Sequence, residues 1–227
     1  MRRHVLLVLG LLALAGAAEP VTAEQAVANL EKAIRSVRTL QARFEQLQFS
    51  VSVSTPLSEK GQIYFEKPDR MRWDYKNPQV KAFLYQNGLF EMYIPEEKQL
   101  TRRRVEAEAL ESEIYGIFFG TMSFKDAYIV EGSLFPTDSA GVKQVKLTPR
   151  TEGDYSHILL EIDQKTWLLR RAVFVEWAGG RREFIFSRVR TGVRLPPGVF
   201  ELKVPPDTEI IDEERAPGAK PSGPGFV

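Results

Sequence analysis

The sequence predicts a mainly β protein of the α+β class, in which antiparallel strands form a curved sheet or partial barrel and helices cover one side. Three observations carry that prediction. Strand-length runs of apolar and polar alternation recur at short intervals from residue 60 to 104 and again from 142 to 204. Asn87-Gly88 joins two of these runs, and both residues tolerate positive φ, which marks a tight hairpin. Residues 23–37 and 107–118, by contrast, carry the 3.6-residue period of amphipathic helices. With 227 residues, 43% of them hydrophobic, the chain can bury a sizeable core as one domain.

The elements follow in order. Thr22 and Gln25 form a capping box ahead of Ala26, Leu30, Ala33 and Val37, so a helix is expected from Ala23 to Val37. Leu40, Ala42 and Phe44 then alternate on even positions, and Leu47, Phe49, Val51 and Val53 on odd ones. That change of phase calls for a bulge or bend near Gln46; a helix running on to Phe44 is the competing explanation. Strands are expected at about 60–67, 70–76, 80–86, 89–94 and 98–104. Ala107, Leu110, Ile114, Ile117 and Phe118 then lie at helical spacing with glutamates mostly between them, and residues 123–126 suit a short helical turn. Further strands are expected at 142–148, 156–163, 166–177, 181–190 and 198–204, with a turn at Ala178-Gly179-Gly180.

Both ends are distinctive. Arg2 and Arg3 precede an apolar run from Val5 to Ala15 and then small residues, the pattern of a secretory signal peptide over residues 1–18, with cleavage between 17 and 23. The run is too short to span a bilayer comfortably. Residues 213–227, rich in Pro, Gly and charge, are expected to be a disordered tail. Cleavage after Ala18 removes two of the 31 basic residues and none of the 30 acidic ones, leaving a net charge near −1. That balance argues against nucleic-acid binding, which needs a cationic surplus. Arg170-Arg171, Arg181-Arg182 and Arg102-Arg103-Arg104 read as solvated strand faces.

The chain has no cysteine, which excludes disulfides, a thiolate nucleophile and a lipid-anchored cysteine. His157 is the only histidine after the leader and reads as structural. No nucleophile elbow, phosphate loop or His-Glu-x-x-His motif occurs, so no catalytic residue, metal ligand or cofactor is expected. A two-carboxylate hydrolase stays open. The apolar side carries more information: Phe49, Phe65, Trp73, Tyr75, Phe83, Phe90 and Phe118 concentrate rings in the first half of the chain. Periodicity alone assigns them to an ordinary core, but a filled core and a hollow one look alike in sequence.

Seven ordered motifs resemble the LolA family of periplasmic outer-membrane lipoprotein carriers. They are FEQ (44–46), GQIYFEKPDRMRWDY (61–75), NPQ (77–79), QNG (86–88), YIPEEKQ (93–99), KLTPR (146–150) and FELKVPPDTEIID (200–212). The likeness spans residues 22–212. It implies an incomplete antiparallel barrel with helices as a lid over a concave apolar face. It also implies a non-enzymatic, periplasmic carrier of lipoprotein acyl chains. Its partners would be an inner-membrane lipoprotein-release ABC complex and an outer-membrane receptor, with the chain a monomer.

On that resemblance the acyl-chain face comprises Phe49, Ile63, Phe65, Met71, Trp73, Tyr75, Phe83, Phe90, Ile114, Ile117 and Phe118. Lys67 takes the place of a basic residue before proline that closes the lid by hydrogen bonds to helix carbonyls. A solvent-facing turn lysine is the other reading of Lys67. Two departures from the family pattern are the serine-rich stretch over 50–60 and the extended tail. An envelope sensor that uses the same sheet to bind a lipid or protein signal is the alternative function.

Overall fold

In a computed structural model, residues 20–105, 114–121, 123–153 and 155–213 are described. Helix α1 (Ala23–Ser36) starts where the capping box predicts: the Thr22 hydroxyl accepts from the Gln25 N–H, and the Gln25 side chain accepts from the Thr22 N–H. Its buried stripe is Ala23, Ala26, Val27, Leu30 and Ile34. Val37 ends it in extended conformation, which rules out a helix continuing to Phe44.

Twelve strands follow: β1 (Thr39–Ser50), β2 (Val53–Glu66), β3 (Arg70–Asn77), β4 (Lys81–Gln86), β5 (Leu89–Ile94), β6 (Gln99–Arg104), β7 (Tyr128–Gly132), β8 (Val142–Pro149), β9 (Tyr155–Asp163), β10 (Leu169–Glu176), β11 (Arg181–Thr191) and β12 (Glu209–Asp212). Two short helices, α2 (Ile114–Phe119) and α3 (Phe124–Ala127), lie between β6 and β7. All the strands belong to one sheet, in the order β12-β6-β5-β4-β3-β2-β1-β11-β10-β9-β8-β7, so among the described residues β12 and β7 are the outer strands and the barrel is not closed. Every pair is antiparallel except β12 with β6.

The sheet is strongly curved. Trp73 on β3 and Phe184 on β11 are three strand spacings apart, about 14 Å across a flat sheet. Their ring centroids are nevertheless 5.8 Å apart, so the two strands face each other across a concave interior. Helix α1 packs against β7, β8, β9 and α2 and covers that interior. Gly61 permits close approach at the centre: a Cβ there would lie 2.0 Å from the Asp74 carbonyl oxygen and 2.7 Å from the Phe44 ring.

Three expectations need correction. No bulge interrupts β1 near Gln46; pairing to β2 and β11 runs unbroken from Arg43 to Gln48, and the irregularities flank that stretch, at Gln41/Arg43 and Gln48/Ser50. Phase is kept because Gln46, though polar, occupies a buried position. The strand expected at 198–204 is absent. That segment turns at Val199 and seats Phe200 against Tyr64 and Leu84 on the outer face, where Arg72 donates to the Val199 and Glu201 carbonyls. The last strand is β12, and β7 was not anticipated. Finally, the strand expected from 166 starts only at Leu169, because Trp167 adopts a positive φ of 57°. The helical reading over 107–113, the leader and the tail beyond 213 lie outside the described residues, as does Ala107-to-Leu110 packing.

Candidate functional site: a lidded apolar face

Alternation puts one side of each strand into the concave interior. Ile63 and Phe65 come from β2, Met71, Trp73 and Tyr75 from β3, Phe83 from β4 and Phe90 from β5; all are buried in one cluster with Leu30 and Ile34 of α1 and Ile117 and Phe118 of α2. Trp73 is its hub, only 1% exposed, with ring centroids 4.7 Å from Phe44, 6.1 Å from Phe118 and 6.2 Å from Phe186. Phe119 adds edge contacts to Phe65 at 5.3 Å and Tyr85 at 5.5 Å. The helices thus enter the concave face with their own aromatic rings.

Phe49 does not join this cluster. It pairs with Arg181 on the opposite face of the sheet, and the guanidinium carbon sits 3.5 Å from its ring centroid. The odd phase that suggested a core position is the outward one, because the inward phase passes through Gln46. Ile114 opens α2, but its side chain lies outside the described residues.

Lys67 follows β2 and reaches across to the end of α1. Its Nζ donates to the carbonyls of Ile34 at 3.0 Å and Arg35 at 2.8 Å. These belong to the last turn, where helix carbonyls lack intrahelical donors and carry the negative end of the dipole. Burial, and then the neighbouring Arg35, lower the lysine's proton affinity from its ordinary value. Its backbone N–H bonds the Arg38 carbonyl at 2.9 Å, which fixes the turn. Glu31 ties the same helix to α3 by accepting from the Phe124 N–H at 2.8 Å.

The far end of the concave face, away from this contact, is open. A cavity of about 660 Å³ lies there between β1, β2 and β4–β6, with Leu57, Phe83, Met92 and Ile94 beside Gln46, Glu59 and Lys81. Tyr75 marks its boundary with the buried cluster and donates its hydroxyl hydrogen to Gln46 Oε1. Burial, with Glu59 as a secondary cause, pushes the Tyr75 phenol well above its usual range, so the group remains a donor.

In each arginine pair one member, Arg170 or Arg181, is exposed as the sequence suggested, and the other, Arg171 or Arg182, is not. Arg171 bonds Glu183 at 2.6 Å and Glu161 at 3.3 Å, and Arg182 reaches Glu176 at 3.3 Å. The chain before β8 covers Arg171, whose Nη1 donates to the Pro136 carbonyl while Phe135 stacks on the guanidinium. His157 sits half-buried beside Ser156 at 3.0 Å, and burial followed by Lys146 lowers its proton affinity. Among the described residues, no group of three His, Cys, Asp or Glu is placed to hold a metal ion.

Residues 35–203 match the family model described as outer membrane lipoprotein carrier protein LolA. This chain belongs to the LolA family. Its relatives include an outer-membrane lipoprotein carrier protein of Methylococcus capsulatus, 26% identical over 92% of this chain and 97% of that one. Another, from Alkalilimnicola ehrlichii, is 28% identical over 85% and 87% of the two chains. A crystal structure of an uncharacterized conserved protein from Thermus thermophilus shares the fold with a TM-score of 0.54 and 13% identity, over 84% of this chain and 99% of that one.

Proposed function

We propose that this chain is a periplasmic, non-enzymatic carrier that shelters lipoprotein acyl chains on its concave face and moves lipoproteins from the inner to the outer membrane. Lipoproteins would arrive from an inner-membrane ABC release complex and leave to an outer-membrane receptor, with the carrier acting as a monomer. The observation that carries this reading is the Lys67 contact: a continuous apolar face is closed by helices that two side-chain hydrogen bonds hold down. Relatives that bear the carrier's name support it.

Ile117, Phe118 and Phe119 occupy the interior in this closed form, so a guest replaces them as the lid swings away. Two hydrogen bonds from this partly exposed lysine contribute about 1–2 kcal/mol to closure, which the burial of about two methylenes offsets. Loading and unloading therefore need no large reorganisation of the sheet. The decisive experiment adds the purified protein to inner-membrane spheroplasts; a soluble complex with a lipoprotein is expected, and failure to release any sinks the reading.

Lys67 itself yields a second expected result. If closure competes with the guest, Lys67→Met raises the open fraction and tightens binding of a fluorescent acyl probe by about tenfold, while slowing its handover to acceptor vesicles. Lys67→Arg should stay near the parent. Weaker probe binding by Lys67→Met would mean that the lysine touches the guest instead of latching the lid.

A further inference from the structure

The open end of the concave face is built differently from the apolar cluster beneath the helices. Gln46 is only 3% exposed, and its amide oxygen is taken by the Tyr75 hydroxyl. Its amide NH₂ consequently has no acceptor among the described residues. Beside it, Lys81 and Glu59 form a nearly buried pair at 2.7 Å, with side chains 11% and 8% exposed. Lys81 Nζ also lies 4.7 Å from the Tyr75 ring centroid, and Glu59 supplies its only oxygen partner among the described residues. The cavity floor presents the Gln46 amide NH₂ and the Lys81 ammonium, with the Glu59 and Glu97 carboxylates also on its lining, against walls of Leu57, Phe83, Met92 and Ile94. A ligand that covers such a donor loses affinity unless it offers an acceptor in place of the solvent it displaces.

We propose that this opening is the subsite for the carbonyl-bearing junction of an acylated ligand, where an ester or amide oxygen accepts from Gln46 and Lys81 while the chain runs inward past Phe83. The assignment rests on the carrier reading above and adds the part of the guest that is not hydrocarbon. A cavity of about 660 Å³ lies within the usual range of ligand sites, ~300–1,000 Å³. An aliphatic chain alone would cover the Gln46 amide without offering it an acceptor, so the site discriminates between molecules of equal apolar length.

The test compares 1-decanoylglycerol with 1-O-decylglycerol, which share a chain and a diol and differ by one carbonyl, using calorimetry on the full-length protein. The parent protein should bind the ester about tenfold more tightly than the ether. Gln46→Met, and separately the paired replacement Glu59→Leu/Lys81→Met, should bring the two affinities together. The paired change removes both charges at once and so leaves neither buried alone. Equal affinities in the parent overturn the subsite and need no variant to be interpreted. A preference that survives both replacements overturns its location. Absence of binding by either molecule overturns the carrier reading as well, whereas equal binding of both leaves that reading standing.

Discussion

Gly61→Ala should largely abolish folding, despite adding a single methyl group to a strand residue. The new Cβ would sit 2.0 Å from the Asp74 carbonyl oxygen and 2.7 Å from Phe44 Cε1. Neither neighbour can yield easily. Asp74 belongs to the β2–β3 ladder, and the Phe44 ring is wedged against Trp73 at 4.7 Å and Tyr75 at 4.8 Å. Overpacking a core typically costs about 1–3 kcal/mol, and a clash with fixed backbone lies above that range. The expected outcome is a fall of more than about 3 kcal/mol in urea unfolding, or failure to recover soluble protein. A variant within about 1 kcal/mol of the parent would show that β2 and β3 slide freely at this point.

Arg171→Met should be the next most damaging change, although it removes a charge from what looks in sequence like a polar strand. Glu161 is 1% exposed and Glu183 is 4% exposed, and both depend on the Arg171 guanidinium. Removing one partner from a buried charged network costs about 3–5 kcal/mol, because the remaining charges stay desolvated. Arg181 still reaches Glu183 at 2.9 Å, so Glu161 bears most of the loss. Thermal unfolding measures the drop, and Arg171→Met combined with Glu161→Gln should regain part of it. A triple change that also replaces Glu183 by glutamine separates the two carboxylates. No loss in the single variant would mean that water reaches this layer.

Much of the frame was legible because its signals are local. The capping box placed α1, Asn87-Gly88 placed the β4–β5 hairpin, and alternation through Met71, Trp73 and Tyr75 gave the inward side of β3. What failed is instructive in physical terms. Gln46 is polar at an inward position, and a reading that equates inward with apolar shifts phase there and sends Phe49 to the wrong side. Its burial is tolerated only because Tyr75, distant in sequence, supplies a partner. The β12–β6 pairing joins segments about a hundred residues apart, and no local pattern encodes it. Arg171 looked solvated because the cover over it comes from the chain before β8. Lys67 bonds the Ile34 and Arg35 carbonyls, a contact between segments about thirty residues apart that no local pattern encodes.

The unpaired outer strands, β12 and β7, have a mechanical consequence. In a sealed cylinder, strand number and stagger fix the girth, and widening it requires rupturing a ladder. Here, among the described residues, no ladder joins β12 to β7, so widening the interior would break no backbone pairing. The gap between facing strands is then set by side-chain contacts, such as that of Trp73 with Phe184, and not by backbone pairing.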